Sequence, residues 1–226
     1  VQSSVPSIIQ RPTSSMSRFI DVHGGCFTSD LSVCVPTMHS VIDPNAFSIN
    51  SFGNLRKGDV VLSQAGWTTI ECIVRLKYDN RVAPLYRVSS LSSTWLLTAY
   101  HPVLLPTGET AFPVELWQEG RAEQVLNASS WDGFVYDVVL SNRSLIATAI
   151  SADSDAIGYV ATWGHNCTLP KFEHEYFGSQ RIIQDLLTQR TEDYLQMGYI
   201  TIDQPIFERT YIPQLEETRI TKLVCV

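Results

Sequence analysis

The segment STWLLTAYHPVLL, residues 93–105, decides the fold class because it joins short apolar stretches to a polar TAYH sequence without any helical periodicity. It is one of seven runs that are rich in Val, Ile, Thr and aromatic residues and are separated by Gly, Pro, Asn or Ser. Runs of this length and composition are typical of β-strands. We therefore predict an all-β domain with no helix among these runs. The other six runs are DVVLS (59–63), GWTTIECIVR (66–75), PLYRV (84–88), FVYDVVL (134–140), SLIATAI (144–150) and AIGYVATW (156–163).

The pattern changes after Pro170, where helical spacing replaces strand-like runs. Apolar residues between Ser179 and Met197 recur at intervals that place them on one helical face. Ser179 is suited to be the N-cap, and Gly198 lies just past the expected end. From Tyr199 the chain returns to strand-like alternation. The predicted apolar face consists of Ile182, Ile183, Leu186, Leu187, Tyr194 and Met197.

Composition excludes several classes of partner. The chain has 226 residues, and its 44% hydrophobic and 17% charged content is that of a globular protein. A net charge of -7 with only 16 Lys and Arg argues against nucleic-acid binding, and no apolar run is long enough to cross a bilayer. We expect a monomer that binds neither nucleic acid nor membrane. Residues 1–20 read as a flexible lead-in, and the first residue, which is not Met, suggests a piece of a longer protein.

The five cysteines do not form a CxxC motif, and their number is odd. Neither a zinc site nor a complete disulfide framework is indicated, so we expect free thiols and no metal ion or cofactor. Unpaired thiols favour a cytoplasmic location.

Three small groups of residues have the types needed for chemistry. Cys26 follows two glycines in HGGCFTSD (residues 23–30), Thr98 and His101 are three apart, and Asp137 lies within an apolar run. His165, Asn166 and Cys167 are consecutive in GHNC. Taken singly, each group is also typical of core residues. Their order along the chain makes a joint site the sharper hypothesis.

This ordered set resembles the Hint domain of inteins and hedgehog autoprocessing proteins. GCF (residues 25–27) is similar to the hedgehog cleavage junction, and LRKGDVVLS (55–63) to the turn and strand that follow it. LTAYHPV (97–103) matches the T-x-x-H block, FVYDVVL the strand near the intein end, and GHN (164–166) the intein terminus. The continuation HEYFGSQRIIQDL (174–186) resembles the Vint subgroup, which often accompanies von Willebrand A domains.

The resemblance implies a division of the chain and a reaction. Residues 1–25 would be an N-terminal flank, 26–166 the Hint domain and 167–226 a Vint-type extension. The Cys26 thiol would attack the Gly25 carbonyl in an N-to-S acyl shift. Its flank would be its own substrate, so the domain would react once rather than turn over.

The resemblance also assigns a role to each polar residue. His101 would protonate the leaving amine, Thr98 would hold the scissile peptide, and Asp137 would act as base or electrostatic restraint for the thiol.

The fate of the thioester is open at the sequence level. Hydrolysis or attack by an external thiol or amine is the leading interpretation. In hedgehog proteins a sterol attacks the thioester, and an aspartate in the strand after the GDVVL turn activates that sterol. Here the matching stretch, IECIVRLKYD (70–79), has no acid at the matching point and only Asp79 after it, so the resemblance does not imply sterol transfer. The alternatives are intein-type splicing that uses His165, Asn166 and Cys167 as second nucleophile, or an inactive Hint-fold interaction module. The Vint-like continuation beyond Asn166 argues against splicing, because it suggests that GHN survives as a closing strand of an uninterrupted domain.

Overall fold

The computed structural model describes residues 25–37, 46–78, 80, 83–90, 93–126, 132–149, 157–172 and 177–202. The predicted flank before Gly25, Asp79, Cys225 and the tail after Ile202 lie outside the described residues. Each predicted strand run contains at least one strand, so the all-β class is confirmed. The strands are β1 (Ser32–Pro36), β2 (Phe47–Ser51), β3 (Val60–Ser63), β4 (Gly66–Lys77), β5 (Leu85–Ser90), β6 (Ser93–Leu97), β7 (Val103–Leu104), β8 (Thr110–Ala111), β9 (Ala122–Val125), β10 (Phe134–Leu140), β11 (Ile146–Ala149), β12 (Ile157–Val160) and β13 (Tyr199–Ile202).

The longest strand, β4, organises the larger of the two sheets. Among the described residues this sheet has ten strands, seven of which follow the order β10-β4-β3-β11-β12-β7-β8. The antiparallel pairing of β10 with β4 sets Asp137 opposite Val74. The smaller sheet has the order β6-β5-β9.

The segment after Gly25 joins the two sheets. Phe27 forms antiparallel bridges to Leu97 at the end of β6 and to Tyr136 on β10. Its N–H donates to the Tyr136 carbonyl at 2.9 Å, and the Tyr136 N–H donates back at 2.6 Å. Cys26 is therefore fixed between the sheets by its neighbour in the chain.

Two apolar clusters meet at this junction. Phe27 belongs to the larger cluster. Cys26 belongs to the second cluster, together with residues of β4, β10 and the C-terminal helical segment. The sequence after Pro170 thus contributes directly to the surroundings of Cys26.

The helices differ from prediction in two ways. A short helix, α1 (Pro113–Gln118), interrupts the strand runs, contrary to the expectation of no helix there. Proline at its first turn is compatible with the fixed φ of that residue, and Glu115 lies in the first turn, where negative charge is favourable.

The predicted helix of 179–197 is two helical pieces rather than one. The α-helix α2 (Gln180–Gln189) begins at Ser179, whose hydroxyl caps it, and a π-helical turn follows over Asp193–Met197. Gly198 ends the turn at φ +61, as predicted. Met197 is 64% exposed, so its assignment to the buried face is wrong: the break after α2 rotates it to the surface. Ile182, Ile183 and Leu186 are buried as predicted.

Strand β13 confirms the return to strand structure after the helices, although β13 runs parallel to β4. Arg75 on β4 holds it: its guanidinium lies over the rings of Phe134 and Tyr199 and donates to the Thr201 hydroxyl. The extension is therefore part of the larger sheet. Within the described ranges no helix is both long and apolar enough to span a membrane.

Candidate functional site

Gly25 and Cys26 form a peptide bond that lies directly against His101. Gly25 adopts φ +58, in the left-handed region that favours glycine. A Cβ at Gly25 would lie 2.5 Å from the His101 Cα and 3.0 Å from its Nδ1. Only glycine combines this backbone conformation with so close an approach.

Thr98 holds Cys26 from the other direction. The Cys26 N–H donates to the Thr98 Oγ1 at 2.7 Å, and the Cys26 carbonyl accepts from the Thr98 N–H at 2.9 Å and from its hydroxyl at 3.2 Å. A tight turn, in which the His101 N–H donates to the Thr98 carbonyl at 3.2 Å, then returns the chain to the junction. The T-x-x-H spacing therefore places both side chains beside one peptide bond.

His101 is a fully buried, neutral imidazole. Burial lowers its pKa to about 3; the backbone of Gly25 opposes this fall, the charge of His165 adds to it, and the backbone of Ala161 opposes it. These backbone contacts are loose, because neither ring nitrogen has a partner of good hydrogen-bond geometry. A buried polar atom without a partner is costly, and such groups often have a chemical role.

Asp137 is a buried carboxyl group in electrostatic reach of the Cys26 thiol. Its Oδ1 accepts from the Val138 N–H at 2.6 Å and from the Trp163 N–H at 3.1 Å. Burial raises the pKa of Asp137 well above its ordinary value, and the two N–H donors oppose that rise. Burial also raises the pKa of Cys26, and the charge of Asp137 raises it further.

The GHN segment forms the other edge of the site. His165 is buried, its Nδ1 accepts from the Cys167 N–H at 3.0 Å, and burial lowers its pKa to about 4. Asn166 is exposed and adopts φ +50, and its N–H donates to the Gly178 carbonyl at 2.8 Å. Residues 164–166 are a turn and irregular chain, so the expected closing strand is wrong: a positive φ at both Gly164 and Asn166 is incompatible with strand geometry.

The structure thus brings Cys26, Thr98, His101 and Asp137 together, with His165 in electrostatic reach of His101. The Asn166 side chain does not join this buried group. The four cysteines in the described part of the chain, Cys26, Cys34, Cys72 and Cys167, are free thiols. The described residues contain no group of His, Cys, Asp and Glu side chains that could hold a metal ion.

Two further residues of the site carry no recognisable signal in the sequence. Trp163 contributes a backbone N–H, which no side-chain pattern can reveal. Tyr78 is buried, its hydroxyl donates to the Pro84 carbonyl at 3.0 Å, and its pKa is raised by burial and then by the charges of Tyr86 and Cys26. A tyrosine that ends a strand run gives no signal of such a position.

One family model and two solved structures are similar to this chain. The Vint family model, described as a Hint-domain, matches residues 25–206. Among solved structures, the gp41-1 intein is 13% identical with a TM-score of 0.39, and covers 61% of this chain and 98% of its own. A substituted variant of that intein gives 12% and 0.36 with the same coverage. No curated protein matches the chain. Because the family model spans most of the sequence, the chain belongs to the Vint family of Hint domains, which are domains of the self-processing type.

Proposed function

We propose that this domain cleaves its own N-terminal side by an N-to-S acyl shift at the Gly25–Cys26 bond. The Cys26 sulfur bonds to the Gly25 carbonyl carbon, the carbon–nitrogen bond breaks, and the thiol proton ends on the freed amine of Cys26. Residues 1–25 are then the acyl group, 26–166 the reacting domain and 167–226 its extension. The observation that carries the proposal is the contact of both Thr98 and His101 with this one peptide bond.

Positioning supplies much of the rate in such a reaction. The thiol and the carbonyl belong to adjacent residues, and holding reacting groups together can contribute about 7–11 kcal/mol. The hydrogen bond from the Cys26 N–H to the Thr98 Oγ1 holds the nitrogen of the scissile amide, and the bond from the Thr98 hydroxyl to the Cys26 carbonyl holds the next peptide group. Gly25 has no Cβ to resist rotation of the bond.

The two titratable groups divide the proton transfers. A raised pKa makes the ionised Asp137 a stronger base for the Cys26 thiol, although fewer molecules carry the charge. The low pKa of His101 means that, once protonated, it releases its proton readily to the amine nitrogen. Protonated His101 is a minor species near neutral pH, and burial reduces the ionised fraction of Asp137, so we expect a slow reaction.

The thioester is resolved by an external nucleophile. Water releases residues 1–25 as a carboxylic acid, a thiol as a new thioester and an amine as an amide; in each case the Cys26 thiol is regenerated. The reaction occurs once for each chain.

Intact-mass spectrometry with and without hydroxylamine tests the proposal. Hydroxylamine should release residues 1–25 as a Gly25 hydroxamate from the parent chain, and Cys26→Ala should release nothing. Release from Cys26→Ala would overturn the thioester mechanism. Absence of release from a folded parent chain would favour the inactive interaction module.

Splicing remains a second candidate because of one contact. The His165 Nδ1 lies on the N–H of Cys167, which is the nitrogen that would leave if the Asn166 side chain attacked its own carbonyl. That attack would separate residues 167–226 and form a succinimide at Asn166. A fragment of 60 residues in the same mass spectra would support splicing-type chemistry, and its absence favours N-terminal cleavage alone.

A further inference from the structure

Helix α2 packs directly against the GHN segment. Gly164 adopts φ +77, and a Cβ there would lie 2.9 Å from the Ile183 Cγ1 and 3.0 Å from its Cδ1. The Gly164 N–H also donates to the Phe177 carbonyl at 2.5 Å. The start of the extension therefore holds this segment through a hydrogen bond and a close apolar contact.

The residue before Gly164 supplies one of the two donors to Asp137. The other donor, Val138, belongs to the same strand as Asp137 and stays with it. The Trp163 N–H comes from the held segment instead, and it is shared between the Asp137 Oδ1 and the Val138 carbonyl, each at 3.1 Å. The Trp163 indole packs on Phe177 with ring centroids 5.5 Å apart. Movement of α2 would therefore affect one donor and leave the other in place.

We propose that Ile183 is a positioning residue for the Cys26 reaction: its packing on Gly164 keeps the Trp163 N–H on the Asp137 carboxylate. Docking of α2 then controls how readily Asp137 takes the thiol proton. The consequence for cleavage rests on the proposed function, whereas the link from Ile183 to Asp137 can be measured without cleavage.

The direction of the effect follows from the hydrogen bond. A donor to a carboxylate stabilises its charged form, so loss of the Trp163 donor raises the pKa of Asp137. The Cys26 thiol interacts electrostatically with Asp137 and is removed in the test below. On α2, Arg181 is exposed and Asp185 is half-buried. The other titratable groups in the apolar cluster of Cys26 are Cys72 on β4, Tyr78 after it and Tyr194 in the π-helical turn. His101 and His165 also lie beside the site, and β4 carries Glu71, Arg75 and Lys77 as well.

The test compares Ile183→Ala with Ile182→Ala, both in a Cys26→Ala chain that cannot cleave. The two isoleucines are adjacent, buried and in the same apolar cluster, and Ile183 supplies the side-chain atoms nearest Gly164. The Asp137 carboxyl carbon is followed by NMR as the pH changes. Ile183→Ala should raise the titration midpoint by about one pH unit relative to Ile182→Ala, the expected effect of one lost donor to a charged group.

Equal midpoints in the two variants, at similar loss of thermal stability, would overturn the proposal. If Ile183→Ala does not fold, Ile183→Val replaces it, since it removes only the Cδ1 and should give a smaller shift in the same direction. An unchanged midpoint in a folded Ile183→Val would also count against the proposal.

Cleavage measurements separate this inference from the proposed function. With Cys26 restored, the pH at which hydroxylamine releases residues 1–25 at half the maximal rate should rise in Ile183→Ala and not in Ile182→Ala. If Ile183→Ala shifts the Asp137 titration midpoint but no variant releases residues 1–25, the proposed function is refuted and the link from Ile183 to Asp137 stands. Release that is unaffected by Ile183→Ala, with no midpoint shift, refutes the link and keeps the function.

Discussion

Replacing Gly25 by alanine is the sharpest test of the site geometry. The added Cβ would lie 2.5 Å from the His101 Cα, about 1 Å short of ordinary contact, and a backbone atom cannot rotate away. The left-handed conformation at φ +58 costs a further 1–2 kcal/mol or so for alanine. The scissile bond must therefore move by roughly 1 Å relative to His101. A displacement of that size can slow a positioned reaction by about 100-fold.

Gly120→Ala is the matched control, because Gly120 has φ +73 and nothing lies within 4 Å of a Cβ placed there. It carries the conformational cost without the clash. The assay follows the rate at which hydroxylamine releases residues 1–25, by intact-mass spectrometry. This rate is corrected for the fraction of folded protein, which urea denaturation gives. We expect the release rate to be about 100-fold lower in Gly25→Ala and to stay near the parent rate in Gly120→Ala. Comparable rates in both variants would show that the approach of Gly25 to His101 does not matter for cleavage.

Three other predictions concern titration, catalysis and the C-terminal junction. His101 and His165 have folded pKa values of about 3 and 4, below the ordinary 6.5, so their contribution to stability is complete above pH 6.5 and is lost as pH falls toward those values. In that pH window each histidine contributes roughly 1.4 kcal/mol of unfolding free energy per pH unit, and the raised pKa of Asp137 has the opposite effect. In His101→Gln the free energy of unfolding, measured by urea denaturation, should fall less steeply as the pH is lowered. The same steepness as in the parent chain would contradict a buried, neutral His101. His101→Ala should slow hydroxylamine release by about 10²- to 10⁴-fold, whereas a near-parent rate would make it a core histidine only. Asn166→Ala should leave the mass spectrum after incubation unchanged, because we expect no break before Cys167; loss of a parent fragment in this variant would show that Asn166 cyclises.

Strands with strong β composition were predictable, and short or polar ones were not. Runs such as FVYDVVL gave strands because a buried strand needs continuous apolar residues. Strand β2, FSINS, has no buried residue and so leaves no apolar pattern. Helix α1 has only six residues, too few for helical periodicity to appear.

The identity of the candidate residues could be predicted, but their partners could not. The order of Cys26, Thr98, His101 and Asp137 in the sequence carries the family resemblance. The donor from Trp163 is a backbone group, and the contact of Ile183 with Gly164 depends on how α2 docks. Both are set by tertiary packing, which local sequence does not encode. The break after α2 likewise moved Met197 from the predicted face to the surface.

In the proposed reaction the Gly25 carbonyl transfers from the nitrogen to the sulfur of Cys26. Labelling the Gly25 carbonyl carbon with ¹³C allows NMR to follow that atom directly in the folded chain. We expect a thioester carbonyl signal to appear beside the amide signal, to disappear when hydroxylamine is added, and to be absent in Cys26→Ala. Two results together would contradict this acyl shift. The labelled carbon would pass from amide to product without a thioester signal, under conditions that slow hydrolysis of a thioester, and Cys26→Ala would release residues 1–25 as readily as the parent chain.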